Sequence, residues 1–409
     1  MKKFNIPDIY KGNIIGRLKE IRRVNDKLKK DFSPSVLDFG SVKFSIARHF
    51  GFCYGVENAV EIAYRTISEN PDRRIFLLSE MIHNPGVNED LLSRGVQFLM
   101  DTQGNQLIDW DLLTKEDIVI VPAFGTTLAI QEKLNNLGID PYAFDTTCPF
   151  VEKVWNRAGQ IGEKGYSVIV HGKPNHEETR ATFSHSHSKT PTLIVKNIFE
   201  AQKLAAYIRN EKGSADFKKE FAGQYSDGFN PETDLNKIGV VNQTTMLASE
   251  TQEISEYLKG VVQEHHLLDK KTVAEHFANT RDTLCYATND NQDATHQLID
   301  QVADFAIVVG GYNSSNTNHL TELCETKHKT YYIESDKCLI SPDEIHHYDL
   351  QLNKTIESFD FLPKKEKVNV LLTCGASCPD SVMELVLTRL VSFFDNTEDI
   401  EYVIERVSY

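Results

Sequence analysis

Three of the seven cysteines stand in the same kind of local sequence and could act together as metal ligands. Cys53, Cys148 and Cys285 each follow a short stretch that predicts a strand, and each precedes a helical pattern. One cysteine alone is commonly a small buried hydrophobic residue, and that is the alternative for each of them. A thiolate at the start of a helix faces the positive end of the helix dipole, however, so the recurrence favours a site for an anion or a metal centre.

The spacing of these cysteines favours some metal centres over others. Cys53 and Cys148 are 95 residues apart, and Cys148 and Cys285 are 137 residues apart. A structural zinc site normally has four ligands, often in close pairs. Three distant thiolates therefore suit an iron-sulfur cluster, or a metal with one open position, better than a closed zinc site.

The other four cysteines offer competing ligands. Cys374 and Cys378 bracket a loop and could bind metal, whereas Cys324 and Cys338 lie in helical and strand-like contexts and are expected to be packing residues. The irregular spacing of all seven does not suggest a disulfide framework. Reduced thiols in the cytoplasm are the expectation, which leaves them available for metal.

A fold in which strands and helices alternate must position these residues. Apolar runs typical of strands precede helical patterns along most of the chain, which predicts an α/β fold with mainly parallel sheets. Two segments without clear periodicity, 209–237 and 341–367, are interpreted as insertions or long connections. The predicted strands are residues 75–78, 118–121, 142–145, 168–170, 193–195, 238–241, 305–309, 331–333 and 368–372.

Polar loops follow most of these strands and should meet at the carboxyl edge of the sheets. Hydroxyl and amide donors at strand-to-helix turns, as in 243–245, 310–316 and 375–377, can hold phosphate oxygens without a lysine-rich pocket. Ordinary helix capping is the alternative for any one loop, and only the convergence of three favours phosphate binding.

Two histidines and a glutamate in these loops are candidates for substrate chemistry. His83 and His176 could bind an anionic group, with a surface or capping role as the alternative. Glu178 could protonate a leaving hydroxyl, and its alternative is an interaction with the dipole of its own helix.

The composition bounds the class of protein. At 409 residues the chain allows two or three domains, and its 40% hydrophobic and 25% charged residues are typical of a soluble globular protein. The net charge of −15 opposes a nucleic-acid partner. No apolar run reaches the roughly 18 residues that span a bilayer. Residues 1–30 lack the features of a secretory or transit signal, so we expect a helical extension on a cytoplasmic protein without a membrane partner.

Eight short motifs occur in the order found in one known family. From about residue 43 to residue 390 the chain resembles the LytB/IspH family of 4-hydroxy-3-methylbut-2-enyl diphosphate reductases. Its extension and insertions resemble the longer form found in cyanobacteria and plastids. The motifs are Phe52-Cys53-Tyr54-Gly55-Val56, Ile82-His83-Asn84, Asp145-Thr146-Thr147-Cys148-Pro149, His176-Glu177-Glu178-Thr179, Gln243-Thr244-Thr245, Cys285-Tyr286-Ala287-Thr288, Asn313-Ser314-Ser315-Asn316 and Gly375-Ala376-Ser377.

The resemblance implies an activity and an architecture. Family members remove the allylic hydroxyl of (E)-4-hydroxy-3-methylbut-2-enyl diphosphate and form isopentenyl and dimethylallyl diphosphate, the last step of the methylerythritol phosphate isoprenoid pathway. The resemblance implies a 4Fe-4S cluster at the centre of three α/β domains in a pseudo-threefold trefoil, with two electrons supplied by a ferredoxin or flavodoxin. The expected divisions are an extension at 1–40 and domains at 41–148, 149–284 and 285–409. The first strand and the Cys53 loop are expected to pack with the third domain.

The resemblance also implies roles for single residues. Cys53, Cys148 and Cys285 would bind the cluster. Thr244 would position the substrate hydroxyl, and Glu178 would relay the proton. The residues implied to hold the diphosphate are His83, His176, Ser314, Asn316 and Ser377, with Ser315 close by.

One position departs from the family. Shorter bacterial members carry a diphosphate-binding histidine where this chain has Phe124. The number of cationic contacts to the substrate is therefore expected to be smaller here, with a backbone amide at Gly125 or Thr126 as a possible substitute.

Other classes of protein fit part of the pattern. A three-cysteine 4Fe-4S hydro-lyase would dehydrate a phosphorylated substrate without a reductant. An iron-sulfur sensor would not need the phosphate-type loops. A zinc protein would be colourless and lack acid-labile sulfide.

Overall fold

Strands in mainly parallel pairing form three sheets in the computed structural model, which describes residues 4–269, 271–278, 283, 285–407 and 409. The strands are β1 (Ser35–Asp38), β2 (Val42–Ile46), β3 (Ile75–Leu77), β4 (Gln97–Phe98), β5 (Ile118–Ile120), β6 (Ser167–His171), β7 (Thr192–Val195), β8 (Ile238–Asn242), β9 (Phe305–Val309), β10 (Thr330–Ile333), β11 (Glu344–Asp349), β12 (Lys354–Phe359) and β13 (Val368–Cys374).

Helices follow most of the strands, as an α/β fold requires. They are α1 (Asn13–Asn25), α2 (Tyr54–Glu69), α3 (Pro85–Ser93), α4 (Leu128–Asn136), α5 (Pro149–Glu163), α6 (Glu177–His187), α7 (Ile198–Ile208), α8 (Ser214–Glu220), α9 (Pro231–Asp234), α10 (Ala248–His265), α11 (Tyr286–Ile299), α12 (Ser315–Glu325), α13 (Asp380–Val391) and α14 (Ile400–Glu405).

The chain divides into two compact units. The first unit, Met1–Tyr64 with Ile82–Glu89 and Tyr286–Tyr409, contains a seven-stranded sheet in the order β1-β2-β13-β9-β10-β11-β12. Its inner strands β2, β13, β9 and β10 are parallel, and the outer pairings are antiparallel. Strand β9 is fully buried because it is a continuous apolar run covered on both faces.

The second unit, Arg65–Met81 with Asp90–Cys285, contains two parallel three-stranded sheets. One has the order β4-β3-β5 and the other β7-β6-β8. The predicted α/β fold with mainly parallel sheets is confirmed. The predicted domain boundaries at 40, 148 and 284 stay a prediction.

Most predicted strands form, but the one predicted at 142–145 does not. Residues 142–145 make a turn, in which the Asp140 carboxylate accepts the N–H of Tyr142, and only Asp145 forms a bridge, to Val121. An aspartate followed by a proline favours this turn over a strand. In the strand-like stretch expected before Cys285, at residues 277–280, Phe277 forms a bridge to Ile238, and residues 279 and 280 lie outside the described residues.

The two segments without periodicity have structure of their own. Residues 341–367 contain the β11–β12 hairpin at the edge of the large sheet. Residues 209–237 contain α8 and α9, and they bury Phe217, Phe221 and Phe229 in the core of the second unit. Among the described residues, no helix has the length and apolar character needed to cross a bilayer.

Candidate functional site

Every site residue predicted from the sequence lies just before a helix or in its first turn. Cys53, Cys148 and Cys285 directly precede α2, α5 and α11. Helix starts expose unsatisfied N–H groups and carry partial positive charge, so these positions suit anionic ligands. The remaining predicted residues are His83 before α3, His176 and Glu178 at α6, Thr244 before α10, Ser314, Ser315 and Asn316 at α12, and Ser377 before α13.

In the second unit, Glu178 and Thr244 form a buried pair. They meet because β6 and β8 are neighbouring parallel strands, and α6 and Thr244 follow their carboxyl ends. One carboxylate oxygen of Glu178 accepts the backbone N–H of Thr244, and the other accepts the Thr244 hydroxyl at 2.9 Å. Glu178 is 1% exposed and Thr244 7%. The carboxylate is thus held in one orientation by two donors of a single residue.

His176 is the N-cap of α6 and touches Phe124. Its Nδ1 accepts the backbone N–H of Glu178 at 3.2 Å, so the capping role weighed for this histidine is real. Its ring meets the ring of Phe124 edge-on, with centroids 5.6 Å apart. Phe124, the residue that departs from the family pattern, therefore contacts a histidine that is predicted to bind the diphosphate.

Gln243 turns out to be a positioning residue. Its side-chain oxygen accepts hydrogen bonds from the Thr179 hydroxyl and the Lys173 N–H, and its amide donates to Thr245 at 2.6 Å. The side chain is fully buried. Its amide was expected to be a phosphate donor, but the structure uses it to connect the loops on either side of the Glu178 pair.

Cys148 is positioned by the tight loop that carries Phe124. The Cys148 N–H donates to the carbonyl of Ala123 at 3.0 Å. Gly125 has φ +74°, and a Cβ there would lie 2.4 Å from the ring of Trp155 on α5. Only glycine fits, because a side chain would displace either the loop or the helix that Cys148 caps.

In the first unit, the polar loops meet around Ala376. The Cys53 N–H donates to the carbonyl of Ala376 at 3.3 Å, and the Ala376 N–H donates to Oδ1 of Asn316 at 2.8 Å. The neighbouring Ser377 hydroxyl donates to the carbonyl of His83 at 3.0 Å. Strands β2, β13 and β9 are adjacent, so the loops after them bring Cys53, Ser377 and Asn316 together. His83, which follows β3, joins them through its carbonyl.

Two donors at the start of α12 are buried without a partner. Among the described residues, the hydroxyl of Ser315 and Nδ2 of Asn316 have no hydrogen bond, although each side chain is 2% exposed. Leaving such groups unpaired costs about 1–3 kcal/mol each. A bound ligand that accepts hydrogen bonds would remove this cost.

Sequence analysis missed Thr317, which holds this loop in shape. Its hydroxyl donates to Ser314 at 2.9 Å, and a Cβ at Gly375 would lie 1.9 Å from it. Glycine is therefore required at 375 by the threonine. In the sequence, small residues occur in the loop around Gly375 and in the loop before α12, but nothing there shows that Gly375 and Thr317 are in contact.

The cysteines differ in burial, and three of them lie in an apolar core. Cys324, Cys374 and Cys378 are fully buried in the apolar core of the first unit. Burial raises the pKa of Cys324 to about 12, and the hydrogen bond with Cys374, together with burial, raises the pKa of Cys378. Cys53, Cys148 and Cys338 are partly exposed, and Cys285 is buried. Cys324 and Cys378 therefore resist forming thiolates.

Comparison with known proteins identifies the class and then the family. The α/β fold is shared with the solved E-1-hydroxy-2-methyl-but-2-enyl-4-diphosphate reductase from Plasmodium falciparum, at a TM-score of 0.60, 21% identity and coverage of 87% of this chain and 88% of that one. The family model described as LytB protein matches residues 44–391. This chain therefore belongs to the LytB family, which confirms the predicted resemblance.

Curated relatives carry one name. The chain is 39% identical over 352 residues to the 4-hydroxy-3-methylbut-2-enyl diphosphate reductase of Crocosphaera subtropica, covering 86% of this chain and 85% of the relative. It is 40% identical over 360 residues to the enzyme of the same name from Synechococcus sp. strain WH7803, covering 87% and 86%. Both organisms are cyanobacteria, in line with the predicted longer form.

Proposed function

We propose that this protein is a 4-hydroxy-3-methylbut-2-enyl diphosphate reductase and catalyses the last step of the methylerythritol phosphate pathway. The observation that carries the proposal is the similarity to enzymes of that name over at least 85% of both chains. The substrate loses its allylic hydroxyl as water while two electrons and two protons enter, and the products are isopentenyl and dimethylallyl diphosphate.

The cysteines at helix starts fit the cofactor that this reaction needs. We assign Cys53, Cys148 and Cys285 as ligands of a 4Fe-4S cluster, because soft thiolates at three helix N-termini suit an anionic cluster. The raised pKa values of Cys324 and Cys378 argue against those two as competing ligands. When bound, such a cluster supplies electrons and one iron that can act as a Lewis acid.

The donors of the first unit suit the diphosphate. Ser315 and Asn316 are already buried and lack acceptors among the described residues, so a phosphate oxygen satisfies them without further desolvation. Ser314, Ser377, His83 and His176 complete the proposed binding set. Neutral donors fix the diphosphate by geometry, which leaves its charge to be balanced by helix starts and histidines.

Glu178 and Thr244 suit proton delivery. The Thr244 hydroxyl is hydrogen-bonded to Glu178, so a proton on the carboxyl can pass to the Thr244 oxygen as that hydroxyl gives its own proton to the leaving oxygen. The substrate C–O bond then breaks and water leaves. The second proton joins either end of the allyl group, which accounts for two products.

The test is anaerobic purification followed by an assay. We expect iron and acid-labile sulfide in equal amounts, and turnover of (E)-4-hydroxy-3-methylbut-2-enyl diphosphate with reduced ferredoxin or flavodoxin. Substrate consumption without any reductant would instead indicate a hydro-lyase. Colourless protein that contains zinc and no sulfide would overturn the cofactor assignment.

A further inference from the structure

The charge of this chain is distributed unevenly. Residues 1–30 contain ten lysines and arginines and three aspartates and glutamates, a net charge of +7, whereas the whole chain carries −15. Residues 31–409 therefore carry −22. An acidic protein that repels other acidic proteins over most of its surface thus has one basic segment.

Most basic residues of α1 are already paired, but those after it are not. Arg17, Lys19 and Arg23 form ion pairs with Glu401, Asp380 and Glu20. By contrast, the exposed Lys27, Lys29 and Lys30 have no ion-pair partner within 4 Å among the described residues. These three lysines hold charge that the fold itself does not use.

The loop that carries these lysines is held in a defined shape. The Asp26 carboxylate accepts the N–H groups of Lys30 and Asp31, and the Lys29 N–H donates to the Asp26 carbonyl. Lys29 adopts φ 53°, so the chain turns tightly there. A closed turn presents its side chains at low entropic cost to a partner.

Apolar side chains lie among the basic ones. Val24 is 57% exposed and Leu28 is 75% exposed. Exposed apolar side chains with a charged rim are typical of protein docking sites, where the apolar centre gives affinity and the rim gives orientation. We call residues 24 and 27–30 the basic loop surface.

This surface lies beside the segment that carries Cys53. The Asp26 carboxylate contacts Arg48, which precedes the Cys53 loop, at 3.5 Å. Lys29 is close enough to act on Glu57 and Asp290: burial raises the pKa of both carboxyls, and Lys29 opposes that rise. The Glu57 N–H donates to the Cys53 carbonyl at 2.9 Å. The turn that carries the lysines is therefore linked through Asp26 and Arg48 to the segment that leads into the Cys53 loop, and Lys29 is within electrostatic range of the first turn of α2.

We propose that the basic loop surface docks the acidic one-electron carrier protein that reduces this enzyme. This inference rests on the proposed function, which requires electrons from outside. Each docking would deliver one electron from the reduced carrier to the cluster that Cys53 is proposed to help hold, and two dockings would supply the two electrons of one turnover. An acidic carrier of the ferredoxin class matches the charge of the lysines and is repelled by most other acidic surface of the chain.

The test compares two variants of the full, cluster-loaded protein with equal change in charge. One is the triple variant Lys27→Glu, Lys29→Glu, Lys30→Glu. The matched control is Lys189→Glu, Lys218→Glu, Lys219→Glu, three exposed lysines of the second unit without an ion-pair partner among the described residues. Binding of an oxidised acidic [2Fe-2S] ferredoxin is measured by calorimetry at low and high salt. Turnover is measured with reduced ferredoxin and with reduced methyl viologen.

The basic-loop variant should bind ferredoxin about tenfold or more weakly at low salt, and the difference should shrink at high salt because the interaction is screened. Its viologen-driven turnover should stay within about twofold of the parent, since a small reductant needs no docking surface. Parent-like ferredoxin binding, or an equal loss in the control variant, would overturn the proposal. If binding responds as expected but no reductant supports turnover, the docking surface stands and the proposed reaction fails.

Discussion

The two compact units prepare their polar groups in opposite ways. In the first unit, Ser315 and Asn316 keep donors buried without partners among the described residues. In the second unit, the Glu178 carboxylate has both oxygens occupied by Thr244. Unsatisfied donors favour binding of an acceptor, whereas a satisfied carboxylate is fixed in place. The difference separates a region suited to hold the substrate from one suited to move a proton.

The largest effect should come from the thiols that we propose as cluster ligands. Cys53→Ser or Cys148→Ser should remove most of the iron and sulfide, and turnover should fall by more than about 100-fold. Losing a residue that only hydrogen-bonds to a metal ligand typically costs about 10- to 100-fold in activity, and losing the ligand itself should cost more. Iron and sulfide analysis measures the loss of the cluster, and the reductase assay measures the loss of turnover. Cys324→Ala is the control: it should keep the iron and lower the free energy of unfolding by only ~1 kcal/mol. Full iron content in the serine variants would remove the ligand assignment.

Glu178→Gln tests the proton-handling side. The amide keeps the shape of the carboxyl group but cannot supply the proton, so kcat should fall about 10²- to 10⁴-fold. The iron content and the Kd of the diphosphate substrate should stay close to those of the parent. If the substrate Kd rises by as large a factor as kcat falls, Glu178 also binds substrate, and the assignment of binding to Ser315 and Asn316 and of proton transfer to Glu178 is wrong.

Asn316→Asp tests the binding side at constant shape. The new carboxylate still accepts the Ala376 N–H, but it replaces a donor with a negative charge where we propose that the diphosphate binds. We expect the Kd of the substrate to rise about 10- to 100-fold with little change in kcat. Asn353→Asp, an exposed change of the same charge in the same unit, should leave both constants unchanged. A fall in kcat alone would contradict the proposed role.

Phe124→His should have the smallest effect. The phenyl ring that meets His176 is replaced by an imidazole of similar size. The proposed diphosphate donors, such as Ser315 and Asn316, are present without a histidine at 124. We expect kcat/KM within about threefold of the parent. A tenfold loss would show that the aromatic contact itself positions His176.

Much of the fold could be predicted because its inner strands are continuous apolar runs. Strand β9 has the bounds predicted, 305–309, since burial on both faces leaves no polar interruption. The β11–β12 hairpin was missed because Glu344–Asp349, the strand next to the edge of the large sheet, contains two histidines and two carboxylates, which hide its alternation. The failed strand at 142–145 shows that Asp140 and Pro141 outweigh apolar residues over so short a stretch.

The positions of site residues could be predicted better than their partners. Helix starts have local signals, such as Pro149 after Cys148 or Ser314 before α12. Glu178 and Thr244 are 66 residues apart in the chain, and their hydrogen bonds depend on the pairing of β6 with β8. No local sequence pattern encodes the register of that pairing. The resemblance to a family linked these two residues, whereas the buried, unpaired state of Asn316 required the structure.

The two hydrogen bonds to Glu178 also differ in how they respond to mutation. One donor is the backbone N–H of residue 244, which nearly any amino acid supplies, and the other is the threonine hydroxyl. Substitutions at 244 therefore loosen the glutamate only halfway, while substitutions at 178 remove the acid altogether. Because the proposed proton transfer also needs a hydroxyl at 244, a population of variants selected for growth should retain threonine or serine at 244 and glutamate at 178.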